Sequence, residues 1–183
     1  MSKTVLVLTG SAREGGNSDL LAEAFIRGAL DSGKQILRFD AGRKNIGGCQ
    51  GCGGCFSAGT PCVSPDDFTE LGNYLQQADA IAIFTPLYWF SYPSKLKAAT
   101  DKMYSFCVAG KPIGVKESIF VVCGEDTDQA TFEPVVAAYE KMTEYLKWEN
   151  KGHIVVPGVN DPGEVNTKHP EAIEGMKKIG TYY

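Results

Sequence analysis

Apolar and polar positions follow two different periods along this chain. Five short apolar-rich runs, Val5–Leu8, Gln35–Phe39, Ala80–Phe84, Ser118–Cys123 and His153–Val156, have the length and side-chain content of buried strands. Between them, apolar residues recur at helical spacing. Leu20, Leu21, Ala24, Phe25 and Gly28 share one face of a helix that begins at Asp19. Ser64-Pro65-Asp66-Asp67 reads as an N-cap, a proline at the first helical position and two acids near the positive dipole end, opening a helix to about Gln77. Leu96, Ala99, Met103 and Phe106 mark another face after Pro93. Pro134 opens a helix with Val135, Tyr139, Met142 and Leu146 inward, and a last short helix starts near Pro170. Strands alternating with helices predict a parallel sheet covered on both faces. Ligands then sit beyond the strand C-termini, where the strand order reverses.

The segment T4-V-L-V-L-T-G-S-A-R-E-G-G-N-S18 is the most informative. A buried strand stops at Gly10, a glycine-rich polar loop follows, and a helix begins. Backbone N–H groups and the helix dipole make such a junction an anion site. Ser11, Asn17 and Ser18 add donors, and Arg13 adds a permanent cation. The pattern is neither dinucleotide fingerprint nor Walker loop. Ala12 breaks G-x-G-x-x-G, and Gly16 and Asn17 stand where the Walker lysine and hydroxyl belong. A phosphate monoester is the expected ligand.

Two other strand ends complete a candidate site. In T85-P-L-Y-W-F-S-Y-P93, two prolines bracket Tyr88, Trp89 and Phe90, offering a flat apolar wall to a planar ring. Core packing or a subunit contact is the competing reading of these aromatics. In C123-G-E-D-T-D128, Gly124 permits close backbone approach, and Gly124 and Glu125 are assigned to the ring's far edge. The acids can equally be solvated helix-capping residues.

These stretches resemble the flavodoxin-like NAD(P)H-dependent FMN reductases. The matching residues are G10-S-A-R-E-G-G-N-S18, D79-A-I-A-I-F-T-P-L-Y-W-F-S-Y-P-S-K-L-K-A-A-T-D101 and C123-G-E125. The resemblance implies a doubly wound five-stranded parallel sheet of order 2-1-3-4-5. It implies FMN, with phosphate at Ser11, Arg13, Asn17 and Ser18 and isoalloxazine against Pro86, Leu87, Tyr88 and Trp89. NAD(P)H is the implied co-substrate. The flavin then carries the chemistry, so no catalytic side chain is assigned. His153 and His169 are read as structural or surface residues.

Cys49, Cys52, Cys55 and Cys62 form C-x2-C-x2-C-x6-C within a glycine-rich loop. Three thiolates two residues apart favour an iron–sulfur centre over zinc, whose structural sites pair two separated knuckles. The pattern resembles the iron–sulfur flavoproteins, a branch of the same reductases, which implies a [4Fe–4S] cluster beside FMN. Related reductases keep similar cysteines with no cluster, so reduced thiols are the open alternative. Cys107 and Cys123 are expected to be small buried hydrophobes.

Composition narrows the classes. The 183 residues predict one domain over 1–183, 22% charged and 43% hydrophobic residues mark it as globular, and a net charge of −4 disfavours nucleic acid. No run is long enough to span a membrane, and the N-terminus lacks the pattern of a signal peptide. A cytoplasmic enzyme is expected, with its six cysteines as reduced thiols or metal ligands and not structural disulfides. Its expected function is electron transfer from NAD(P)H through FMN to a small-molecule or protein acceptor. An electron carrier without nicotinamide activity is the alternative. Trp89, Phe90 and the cysteine loop would expose apolar surface, so a homodimer or homotetramer is expected.

Overall fold

The computed structural model describes residues 2–183. Five strands, β1 (Thr4–Thr9), β2 (Gln35–Asp40), β3 (Ala80–Pro86), β4 (Glu117–Cys123) and β5 (Glu149–Val156), form one parallel sheet in the order β2-β1-β3-β4-β5. The helices are α1 (Asn17–Asp31), α2 (Phe68–Gln77), α3 (Ser94–Lys102), α4 (Tyr104–Ala109), α5 (Glu133–Leu146), α6 (Glu164–Lys168) and α7 (Pro170–Tyr182). The flavodoxin-like order expected from the sequence is the one found.

Strand periodicity explains the two-layer covering. On one face, Val5, Val7, Ala80, Ala82, Phe84, Ile119 and Val121 pack with Leu21, Phe25 and Met176 of α1 and α7. On the other, Leu6, Leu8, Ile81, Ile83, Phe120 and Val122 pack with Leu71, Leu96, Phe106 and Tyr139 of α2 to α5. Each central strand is thus apolar on both sides, as parallel sheets require. The central register pairs Val7 with Arg38 on one flank and with Ala82 on the other.

Helices α1 and α7 approach through glycines. A Cβ on Gly28 would lie 1.8 Å from the Lys177 carbonyl oxygen, and one on Gly180 would lie 2.1 Å from that of Phe25. Only glycine permits this spacing, so α7 holds α1 tightly against the sheet.

Several local expectations are corrected. Ser64 and Pro65 stay outside α2, which starts at Phe68. The Asp66 carboxylate accepts the Phe68 N–H at 3.1 Å and the Gly47 N–H at 2.9 Å, and Asp67 accepts the Asn45 N–H at 2.7 Å. The acids therefore close the neck of the cysteine loop as well as capping the helix. The face after Pro93 is split into α3 and α4 at Met103, although Leu96, Ala99, Met103 and Phe106 are all buried. The last helix has 13 residues rather than a short span, and α6 precedes it.

Candidate functional site

The reversal in strand order falls between β1 and β3, and the loops after β1, β3 and β4 meet beyond it. Together they form a cleft of about 140 Å³ lined by Ser11, Arg13, Asn17, Ser18, Pro86, Leu87, Tyr88, Gly124 and Glu125. Nine of the ten cofactor residues expected from the sequence are therefore brought together.

The anion end is built from α1. Gly16 caps it without a side-chain hydrogen bond, and no acceptor among the described residues takes the N–H groups of Asn17, Ser18 and Asp19. Three open donors at a dipole's positive end suit a phosphate group. Arg13 lies on the rim, its Nη1 donating to the Asn160 carbonyl oxygen at 3.2 Å. The Ser11 hydroxyl accepts the Arg13 N–H at 3.0 Å, which folds the loop back on itself.

Asn17 lines the cleft and also ties two segments together. Its Nδ2 donates to the Asp161 carbonyl oxygen at 3.0 Å, and its Oδ1 accepts the Val165 N–H at 3.1 Å. The amide is a strut to the segment after β5, leaving its backbone N–H for a ligand. Ser18 lines the cleft beside Cys123, and burial pushes the Cys123 thiol up to about 12. Cys123 is thus a neutral wall of the cleft.

A charged cluster braces the loop from behind. Asp19 is buried and pairs with Arg38, while Asp40 pairs with Arg38 Nε and Arg43 Nη2, each at 2.8 Å. Burial would raise the Asp40 carboxyl, but hydrogen bonds from Arg43, Arg38 and Thr9 hold it below its ordinary value. Asp19 also accepts the Gly15 N–H at 2.9 Å. The short 3-10 turn Ala41–Arg43 presses on the loop, because a Cβ on Gly42 would lie 2.3 Å from the Ser11 carbonyl carbon.

At the ring end, Tyr88 and Ser91 exchange two backbone hydrogen bonds of 3.0 Å around Trp89 and Phe90. Both central residues are left-handed, with φ of 48° and 62°. This is the geometry of a type I′ turn, which favours Asn-Gly. Trp89 is consequently lifted to the tip and is 92% exposed. It lines a neighbouring groove of about 430 Å³ and not the cleft. Leu87, Gly124 and Glu125 border both spaces.

The sequence reading missed Gly16, Cys123, Val159 and Asn160, which also line the cleft. Val159 and Asn160 follow β5, and the turn-rich run V156-P-G-V-N-D-P-G163 was the available signal. His153 and His169 lie outside the cleft. His169 Nε2 sits 2.9 Å from the Pro157 carbonyl oxygen, a structural tie as expected.

The expected iron–sulfur ligands do not converge. Among the described residues, no group of three or more His, Cys, Asp or Glu could hold a metal ion. Cys49 and Cys52 are exposed, and Cys55 and Cys62 are half-buried. Gly51, Gly53 and Gly59 adopt left-handed φ, so the loop winds through separate turns, and Cys62 packs against the core. The quartet as folded here does not fit a cluster. Cys107 is exposed rather than buried.

A model of the family described as NADPH-dependent FMN reductase matches residues 4–142. The chain belongs to the NADPH-dependent FMN reductase family. Its fold is flavodoxin-like. An iron–sulfur flavoprotein of Archaeoglobus fulgidus is 29% identical over 99 residues, covering 54% of this chain and 44% of that protein. One from Methanosarcina thermophila is 30% identical over 52% of this chain and 49% of its own length. The chain thus spans about half the length of these relatives. The Bacillus subtilis protein YwqN, named as an NAD(P)H-dependent FMN-containing oxidoreductase, is 23% identical over 96% of this chain and 95% of its own. Among solved structures, an NAD(P)H:quinone oxidoreductase from Methanothermobacter marburgensis superposes with TM-score 0.76 at 20% identity, covering 99% of this FMN reductase family chain and 96% of that one. An FMN-dependent NADH-azoreductase from Bacillus anthracis, solved with FMN, gives 0.70 at 14% identity, covering 98% and 99%. No helix of the described residues is long and apolar enough to cross a membrane.

Proposed function

We propose that this chain is an FMN-dependent oxidoreductase that passes electrons from NAD(P)H to a small acceptor such as a quinone. The observation that carries the reading is the cleft where three unengaged N–H groups of α1 face Pro86–Tyr88 and Gly124–Glu125 across one small space. The residues fit FMN. The N–H groups of Asn17, Ser18 and Asp19, with Arg13, would hold the phosphate. Pro86 and Leu87 would flank the ring, and the ring would extend toward the adjoining groove. When bound, the flavin supplies hydride acceptance and release. The protein's own residues bind, orient and shield it. The Asp19–Arg38–Asp40–Arg43 cluster keeps the phosphate loop in place, and the neutral Cys123 thiol adds no charge near the ligand. Because the four loop cysteines do not converge, no electron step is assigned to iron.

The test is a saturation experiment with FMN and FAD, followed by steady-state oxidation of NADH and NADPH with a quinone acceptor. FMN retained at one per chain with nicotinamide turnover supports the reading. Retained FMN without turnover supports the electron carrier instead, and a chain that binds no flavin refutes both.

The same proposal includes a second copy of the chain against the outer side of the aromatic turn, leaving open the groove that its inner side lines. A 92% exposed Trp89 beside a 51% exposed Phe90 is the kind of surface that a symmetric subunit contact covers. Light scattering well above micromolar concentration tests it, and a monomer there refutes it.

A further inference from the structure

We propose that the groove beside the cofactor cleft selects the electron acceptor by charge, favouring cationic over anionic planar aromatics, with Glu125 and Asp126 as the specificity-determining residues. The inference rests on the flavin reading above and names the acceptor class for that site.

The two walls of the groove differ in kind. Leu87, Trp89 and Phe90 form one side, and Gly124, Glu125 and Asp126 form the other, around about 430 Å³. The aromatic wall belongs to T85-P-L-Y-W-F-S-Y-P93, which carries no charged residue. The opposite wall belongs to a segment that has no Lys or Arg between Lys116 and Lys141, and its groove end carries Glu125, Asp126 and Asp128. Glu125 makes no hydrogen bond or ion pair among the described residues, and all three acids are exposed. Asp126 is held below its ordinary pKa by the Asp128 N–H and then the Thr131 hydroxyl, so it is ionised at neutral pH. Arg13 lines the cleft with Glu125 but donates to the Asn160 carbonyl oxygen and makes no ion pair with Glu125 among the described residues, and it does not line the groove.

An acceptor travelling to the ring passes along this groove, because Leu87, Gly124 and Glu125 border both spaces. A planar aromatic matches the flat apolar wall. The groove's carboxylates, without a Lys or Arg among its lining residues, raise the local concentration of a cation and lower that of an anion. The Trp89 and Phe90 rings, 5.9 Å apart between centroids, add a cation–π attraction for the same ligands.

The experiment uses FMN-loaded protein, photoreduced without oxygen and mixed with either of two 1,4-naphthoquinones, one carrying a trimethylammonium group and the other a sulfonate. Each turnover transfers a hydride from reduced FMN and a proton from solvent, giving the hydroquinone and oxidised FMN. Recovery of flavin absorbance gives the rate. The cation-to-anion rate ratio is compared among wild type, E125Q/D126N, and D31N/E149Q, which removes two exposed charges at the opposite end of the sheet. Comparing one probe pair across variants cancels the difference in quinone potential. At ~0.01 M salt, where the Debye length is about 30 Å, the ratio should fall on the order of tenfold in E125Q/D126N and stay unchanged in D31N/E149Q. At about 1 M salt, with a Debye length near 3 Å, the three proteins should agree. E125Q alone, which loses no internal bond, should show part of the fall. An unchanged ratio in flavin-retaining E125Q/D126N, or an equal fall in D31N/E149Q, overturns the charge selection and leaves the flavin reading intact. A wild type that retains no flavin overturns both.

Discussion

Substituting Gly42 by alanine tests whether the cleft is shaped from behind. Gly42 does not line the cleft, yet a Cβ there would stand 2.3 Å from the Ser11 carbonyl carbon, 2.4 Å from its oxygen and 2.6 Å from the Ala12 nitrogen. All three are backbone atoms, so no side chain can swing away, and the loop must retreat by roughly 1 Å to reach ordinary contact. Its base cannot follow, because the Gly10 N–H is tied to the Phe84 carbonyl oxygen at 2.8 Å. The displacement concentrates in Ser11 to Arg13. Without ligand the loop can relax outward. FMN binding requires it to return, so most of an overpacking penalty of ~1–3 kcal/mol appears as lost affinity. At 1.4 kcal/mol per factor of ten, the Kd should rise roughly 5- to 150-fold. The assay is titration of apoprotein with FMN, followed by flavin fluorescence and by melting with and without FMN. Gly175→Ala is the control, since nothing lies within 4 Å of its added Cβ. It should leave the Kd unchanged and raise stability by up to ~1 kcal/mol. A folded Gly42→Ala variant that binds FMN within twofold of wild type would refute the reasoning. So would equal melting losses with and without FMN.

Gly180→Ala should destabilise by roughly 3 kcal/mol or more, because its Cβ would meet the Phe25 carbonyl oxygen at 2.1 Å and drive two helices apart; denaturant unfolding measures it. Asp66→Ala should cost about 3–5 kcal/mol, since it leaves the buried Lys102 ammonium without its carboxylate, and limited proteolysis should then cut the released cysteine loop. Burial would raise the Asp66 carboxyl, but Lys102 and the Gly47 and Phe68 N–H groups outweigh it and hold it below its ordinary 3.8. Its contribution is therefore complete above that pH and is lost as pH falls through the still lower folded value, which acid unfolding of wild type against Asp66→Asn should show. Tyr92→Phe should be neutral or stabilising by about 1 kcal/mol in a thermal melt, because the buried Tyr92 hydroxyl has no partner among the described residues. Replacing Trp89-Phe90 by Asn-Gly should raise the melting temperature of the monomer by several degrees, relieving ~1–3 kcal/mol of strain per residue.

The strands were legible because β1, β3 and β4 are apolar on both faces, and no helical period fits runs so short. The phosphate loop was legible because Gly10 to Ser18 concentrates donors at a strand-to-helix junction. Other features depend on partners distant in sequence. Ser64-Pro65 has every local mark of a helix start, but Asp66 is drawn to Gly47 and Lys102, which delays the helix to Phe68. Asn17 reads as a ligand donor, and the ties its amide also makes to Asp161 and Val165, over a hundred residues away, leave no local sign. The family resemblance implies Trp89 against the ring. Its left-handed backbone, which places it outside the cleft, leaves no trace in a run of aromatics. The cysteine spacing identifies a donor set, and spacing alone does not decide whether the loop's glycines gather the thiols or separate them.

The turn from Tyr88 to Ser91 places two bulky aromatics on a backbone that suits Asn and Gly. Heat tolerance and activity therefore ask for different residues at the same two positions. A mutant library ranked by survival after heating should drift toward a bare rim at 89 and 90. One ranked by turnover of an aromatic acceptor should retain the rings, even as it accumulates stabilising changes elsewhere. Such paired selections would measure how much each aromatic is worth to the working enzyme, in a region where a search guided by stability alone leads away from function.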